Sequence, residues 1–155
     1  MLARVCIIVA LCGCGRINFD SDLVCPAGFL AVNASCYRVD TTNDTDWISA
    51  ERACEKDPGA HLAAIEDAVE LDTVDALVPV NDAWIGTSDR IVPETYLTVT
   101  GQRAYVQWDT GQPNDAGGPE YCVLLVGAVM HDEDCVVIND FVCEYEGEPI
   151  DPSAF

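Results

Sequence analysis

Basic residues are scarce in this 155-residue chain: 7 Lys+Arg stand against 27 Asp+Glu, a formal net charge of −20. Such a surface repels phosphate backbones, which excludes nucleic acid as a partner. Histidine is rarer still, with two in the whole sequence. The cysteines are not gathered into the tight Cys-x-x-Cys and His clusters that hold zinc, so a zinc module is excluded too. Beyond the first residues, no apolar run approaches the roughly 20 residues needed to cross a bilayer. Internal repeats and low-complexity tracts are absent. Nor does any nucleophile–base pair or metal motif with diagnostic spacing occur, so no enzyme is expected.

Cysteine, by contrast, is abundant, with nine in all. Cys6, Cys12 and Cys14 fall in the first fifteen residues, and Cys25, Cys36, Cys54, Cys122, Cys135 and Cys143 are spread through the rest. An even set dispersed through a small exported domain reads as a disulfide framework, and spacing alone leaves all fifteen pairings open. Arg4 followed by the apolar run Val5–Leu11 has the layout of a signal peptide. Leu11-Cys12-Gly13-Cys14 resembles a bacterial lipobox, with Gly13 as the small residue and Cys14 as the cysteine to be lipidated. Cys12 departs from the usual Ala or Ser, and a plain cleaved signal is the alternative. The division is then 1–13 signal peptide, 14–24 tether, 25–146 folded domain and 147–155 tail. This gives an extracytoplasmic envelope lipoprotein, or otherwise a secreted protein, with membrane contact only through a lipid at Cys14. The sequons at Asn33 and Asn43 would matter only in a eukaryotic secretory route.

Within the domain, Phe29–Val32 and Tyr37–Val39 read as short strands. Trp47, Ala50 and Cys54 recur at helical spacing, with Thr45 or Asp46 available as a cap. Asp67 followed by Glu70 resembles a capping box, and Leu71, Val74 and Leu77/Val78 give a second helix its apolar face. Ala83–Gly86, Tyr121–Val126, Val136–Ile138 and Phe141–Tyr145 read as strands. The Gly-, Pro-, Asn- and Asp-rich stretch between Thr87 and Glu120 should be turns and long loops. Helices followed by strands argue for an α+β domain.

Several spacings agree with one family. Trp47, Ala50 and Cys54 are followed by His61-Leu62 with Ile65, then by Trp84-Ile85-Gly86. Trp108 precedes Gln112-Pro113-Asn114, and Cys122 lies ten residues after Gln112. Cys143, eight residues after Cys135, precedes Glu144. From Cys25 to Glu146 the chain resembles a C-type lectin-like domain of the long form. The resemblance implies two helices, antiparallel sheets and a long-loop region. It also implies the bridges Cys25–Cys36, Cys54–Cys143 and Cys122–Cys135.

In sugar-binding members of that family a calcium ion in the long loops bridges the protein and two adjacent sugar hydroxyls. Calcium takes six to eight oxygen ligands and tolerates irregular geometry. Carried over by position, Gln112 and Asn114 flank a cis Pro113, Glu120 is the acidic ligand before Cys122, and Asp132 closes the set. Met130 and His131 replace the family's Trp and Asn, and imidazole nitrogen is a poor partner for calcium. Asn139-Asp140 sits beside the wrong cysteine and belongs to the final strand. Asp89 and Asp115 match an auxiliary calcium position. A further carboxylate expected there falls on Pro93, with Glu94 one residue away. The resemblance therefore implies a carbohydrate-binding module, Ca2+-dependent if the site works. The ligand-binding set is Gln112, Asn114, Glu120, His131 and Asp132. The alternative is a calcium-independent domain that binds a cell-surface protein through the same loops.

Overall fold

The computed structural model describes residues 24–78, 82–146 and 153. The signal peptide, lipidated Cys14 and most of the tether and tail expected from the sequence lie outside them. The elements are β1 (Leu30–Val32), β2 (Ser35–Thr45), α1 (Trp47–Cys54), β3 (Ala60–Leu62), α2 (Ala68–Asp75), β4 (Ala83–Ser88), β5 (Leu97–Thr98), β6 (Cys122–Val126), β7 (Val129–Glu133) and β8 (Asn139–Tyr145). One eight-stranded sheet runs in the order β1-β2-β8-β4-β6-β7, with β3 also on β8 and β5 on β4. The two helices and the antiparallel strand pairs implied by the resemblance are present, and the strands form one continuous mixed sheet. Its parallel pairing is that of β4 with β8, at Ala83↔Asp140 and Trp84↔Phe141.

Alternation along the central strands places apolar side chains on both faces of this sheet. Ala83, Ile85, Val123, Leu125 and Val142 join Leu71 and Val74 of α2 in one cluster. Their neighbours Trp84, Leu124, Phe141 and Cys143 join Trp47, Ala50 and Leu62 in the other. Both faces being covered explains why these strands read as continuous apolar runs. The two buried tryptophans also tie elements together. The Trp47 Nε1–H donates to the Ile85 carbonyl at 2.8 Å and the Trp84 Nε1–H to the Thr45 carbonyl at 3.0 Å.

Both helices begin as their caps dictate. Asp46 accepts from the Ser49 N–H at 3.0 Å. Asp67 accepts from the Val69 and Glu70 N–H groups, while the Glu70 carboxylate turns back to the Glu66 N–H at 2.7 Å. These bonds satisfy donors that the first helical turn leaves without a partner. The second helix ends at Asp75, so Leu77 and Val78 follow it and pack against the core from the loop.

The three disulfides are Cys25–Cys36, Cys54–Cys143 and Cys122–Cys135, with Cα separations of 5.6, 5.4 and 5.1 Å. These are the pairs that the family resemblance implied. One strand reading is corrected. Val136–Ile138 is an exposed turn, held by the Val137 N–H on the Asp134 carbonyl. Its β-branched side chains carry strand propensity but have no partner strand. The strand instead is β7, whose Met-His-Asp-Glu hides the alternation because one of its two inward side chains is a carboxylate.

Candidate functional site

The long segment from Asp89 to Tyr121 is anchored to the sheet at its middle. The Met130 N–H donates to the Gln107 carbonyl at 2.8 Å and the Asp109 N–H to the Met130 carbonyl at 3.1 Å. Trp108 is thereby bridged to Met130, which is fully buried. Met130 fills core space, so the loss of the family's tryptophan leaves the apolar contact in place.

Beyond Trp108 a turn closes with the Gln112 N–H on the Asp109 carbonyl, and the Gln112–Pro113 peptide is cis. The Asn114 side-chain amide donates to Gln112 Oε1 at 2.8 Å, so the two amides stand side by side. Asp132 holds this arrangement from below. It is 3 % exposed, and its oxygens accept from the Asn114 N–H at 2.9 and 3.0 Å and the Asp115 N–H at 3.0 Å. Asp115 in turn accepts from the Glu120 N–H at 2.9 Å. Asp89 accepts from the Glu94 N–H at 2.7 Å, while its other oxygen is buried without a partner. Acidic side chains thus shape a segment that has little ladder of its own.

This has an electrostatic cost. Burial pushes the Glu120 carboxyl above the usual range, opposed by a bond from the Ala116 amide and reinforced by the charges of Asp132, Glu133 and Asp115. Asp89 is raised likewise by burial, partly offset by its bond from Glu94, with Asp115 and Asp132 adding repulsion. Burial and the charges of Asp89, Asp132 and Asp115 also raise the Tyr96 hydroxyl.

His131 lies on the other side of this alternation. Met130 and Asp132 point inward along β7, while His131 is half-exposed, with Nε2 3.2 Å from Asp109 Oδ2. The structure therefore links Gln112, Asn114, Asp115, Glu120 and Asp132 through hydrogen bonds, couples Asp89 to them by charge, and engages His131 with Asp109. Sequence reasoning missed Asp109. The signal available was its place next to Trp108.

Calcium would find hard oxygen donors here, which is the right chemistry. The buried orphan oxygen of Asp89 and the mutual repulsion around Glu120 suit a cation. Against that, both oxygens of Asp132 are already taken by amides. Among the described residues no group of three or more His, Cys, Asp or Glu side chains is gathered on one point as a metal site. The donor chemistry fits a calcium ion, but the carboxylates are not converged on one.

A family model for the lectin C-type domain matches residues 43–145. A C-type lectin mannose-binding isoform from Oxyuranus scutellatus is 31 % identical over 147 residues, covering 86 % of this chain and 91 % of that protein. Among solved structures, the cow C-type carbohydrate-recognition domain of CD23, determined in the presence of a GlcNAc2Man3 oligosaccharide, superposes with a TM-score of 0.72. It is 27 % identical, over 78 % of this chain and 95 % of that one. A calcium-independent type II antifreeze protein superposes with a TM-score of 0.70 at 26 % identity, over 78 % of this chain and 93 % of that one. On this match and these folded geometries, the chain belongs to the C-type lectin domain family.

Proposed function

We propose that the domain is a non-catalytic carbohydrate-binding module that engages sugar hydroxyls with Gln112 and Asn114. The observation that carries this is the pair of side-chain amides across Pro113, bonded to each other at 2.8 Å on a backbone that Asp132 holds through the Asn114 N–H. An amide offers both donors and an acceptor, which is what a vicinal pair of hydroxyls requires. Fixing the backbone that carries them before a ligand arrives lowers the entropy cost of binding. A mannose-binding relative and a relative studied with a mannose-containing oligosaccharide support a neutral hexose as the ligand class.

Calcium is part of this reading. Gln112, Asn114, Glu120 and Asp132 are the residues that would hold it, with Asp89 and Asp115 at the auxiliary position. When bound, the ion supplies positive charge to the loop carboxylates and a coordination point for hydroxyl oxygens. The three disulfides belong to an oxidising compartment. This supports export; the Leu11-Cys12-Gly13-Cys14 stretch is what suggests lipid attachment at Cys14 to an envelope surface.

The test is a thermal melt of the oxidised protein in EDTA and in about 10 mM calcium, with magnesium as control. A site with a dissociation constant of about 1 mM would add about 1.4 kcal/mol. A calcium-specific rise, followed by glycan-array binding that EDTA abolishes, is the expected result. Sugar binding that survives EDTA would remove the metal and leave the amides.

A second reading has its own observation. His131 is engaged with Asp109, and Asp132 is saturated by amides. Both suit a calcium-independent domain that binds a cell-surface protein through the same loops, and a calcium-independent relative shares the fold. A silent glycan array beside a specific protein partner would favour it.

A further inference from the structure

The turn that follows β7 exposes consecutive aliphatic side chains: Val136, Val137 and Ile138 are 72, 37 and 66 % exposed. Elsewhere among the described residues, large exposed apolar side chains stand singly or, at Ile91 and Val92, as a pair. Scattered aliphatics are ordinary on a protein surface, whereas a contiguous patch marks a place where something binds. We propose that this turn is a docking surface for a basic, amphipathic peptide segment of a partner protein. The proposal is independent of the carbohydrate reading, since it uses neither Gln112 nor Asn114.

Besides the exposure itself, three observations carry it. The first is that the turn is held at both ends. Cys135 is bridged to Cys122, and its carbonyl accepts from the Trp47 N–H at 3.0 Å where α1 begins. Past the turn, Asn139 is paired with Thr45 of β2. Asp134 also closes the turn from within. Its side chain accepts from the Val136 N–H at 3.2 Å and its carbonyl from the Val137 N–H at 3.0 Å. The second observation is stiffness of the side chains. Valine and isoleucine are β-branched and have little χ1 freedom to lose. Backbone and side chains are therefore ordered before a partner arrives, which lowers the cost of binding.

The third observation is charge, and it selects the occupant. Glu133 and Asp134 lead into the turn. The pairing of Asn139 with Thr45 brings Asp44 and Asp46, the neighbours of Thr45, to the same edge. No Lys or Arg occurs between Arg38 and Arg52 or after Arg103, so the segments that build this edge carry no base to offset the acids. A second copy would bring the same acidic rim to a two-fold contact, on a chain whose formal charge is −20. An anionic lipid surface would meet the same repulsion. A basic segment with an apolar stripe meets opposite charge around an apolar centre, the pattern that steers and orients an encounter.

The test uses the intact oxidised protein in EDTA, which keeps calcium out of the long loops. The probe is a labelled helical peptide of Leu and Lys with one apolar and one basic face, followed by fluorescence anisotropy and by the methyl NMR signals of the protein. Its Gln–Lys counterpart carries the charge alone, and its Leu–Glu counterpart reverses the charge. The Leu–Lys peptide is expected to bind and to shift the Val136, Val137 and Ile138 methyl signals. It should bind about tenfold more tightly than the Gln–Lys peptide, and the Leu–Glu peptide should not bind. The double variant Val136→Ser/Ile138→Ser, at exposed positions, should lose that tenfold. Asp44→Asn with Glu133→Gln should weaken the Leu–Lys peptide and reduce its salt dependence. No binding of the Leu–Lys peptide, or equal binding of the Leu–Lys and Gln–Lys peptides, overturns the docking surface, as does undiminished binding by the Ser variant. Affinity unchanged by the Asn/Gln variant overturns the basic partner. Self-association in sedimentation, or binding to phosphatidylcholine vesicles, that the Ser variant loses would assign the patch to a second copy or to lipid and overturn the proposal.

Discussion

Two regions of the molecule use the same device to opposite ends. Around β3, Glu51 accepts from the Leu62 N–H at 2.7 Å and Glu144 from the Ala64 N–H at 3.0 Å. In the long loops, Asp132, Asp115 and Asp89 do the same for Asn114, Asp115, Glu120 and Glu94. Both sets clamp short backbone segments with carboxylates. The difference is in what surrounds them. Glu51 and Glu144 are 1 % and 0 % exposed inside the core. Burial is the chief force on them, with repulsion from Glu70 and Glu146 adding at Glu144 and from Glu55 at Glu51, and it lifts Glu51 to about 7 and Glu144 to about 8. The loop carboxylates are lifted by burial too, but there the repelling charges are one another's, Asp132 and Asp115 acting on both Asp89 and Glu120. The clamps of the base are eased by a proton, and on the proposed function a cation would ease those of the loops as well. That proposal makes the base the part that stands without a ligand and the loops the part that responds to one.

Removing covalent support should separate the two regions most sharply. The Cys54–Cys143 bridge spans 89 residues and the Cys122–Cys135 bridge 13. Chain-entropy arithmetic makes the first worth between 4 and 5 kcal/mol, roughly, and the second about 3 kcal/mol. Double Cys→Ala variants, compared by urea denaturation, should show the longer bridge costing more. Equal losses would mean that the loop region contributes as much order as the base.

Next in size is Gly86→Ala. A Cβ there would lie 2.3 Å from the Leu62 carbonyl oxygen and 2.9 Å from Val99 Cγ2. The collision is with backbone of β3, so the strand must move. A loss of about 3 kcal/mol is expected, read as a drop in melting temperature. Tolerance of the substitution would show β3 to be loosely held despite its two glutamates.

A smaller effect distinguishes the clamps by pH. The folded pKa values of Glu51 and Glu144 lie above the ordinary 4.5, so the folded state holds their protons more tightly than the unfolded chain. Their contribution is complete below pH about 4.5 and is lost as pH rises through about 7 and about 8. Melting temperature should fall between pH 5 and pH 9, and Glu144→Gln should flatten that fall. Asp46 carries the opposite sign. Burial there is outweighed by the Ser49 hydroxyl and amide, so its carboxyl lies below the usual value. Its contribution is present at neutral pH and fades as pH falls below the carboxylate range. Asp46→Ala should cost about 1 kcal/mol at pH 7, the smallest change of the series.

The base was the more legible region in the sequence. Trp47, Ala50 and Cys54 recur at helical spacing, and the caps Asp46 and Asp67 announce both helix starts. Trp84-Ile85-Gly86 marks the central strand, because only glycine can pass the Leu62 carbonyl. Even there, Glu51 went unread as a buried residue. Its signal was its place on the face shared by Trp47, Ala50 and Cys54. The three-residue strand β3 is too short to carry periodicity. In the loops, sequence placed Gln112, Asn114, Asp115, Glu120 and Asp132 as residues of interest. It could not say that the Asp132 oxygens go to backbone amides, since that depends on how the chain turns after Pro113. Nor could it assign His131 to Asp109, a pairing between residues 22 apart.

The bridge between Cys54 and Cys143 has a mechanical consequence. β2 and β8 lie side by side, with Cys36 opposite Tyr145, so the chain enters and leaves the domain at neighbouring points. A pull across those points would peel the two strands from that end, opening Tyr145 and then Glu144. At Cys143 the tension crosses the disulfide to Cys54. The chain from residue 55 to 142 drops out of the load path, and with it every residue of the candidate site. A tug on the domain would therefore stretch its base while its long loops stay slack.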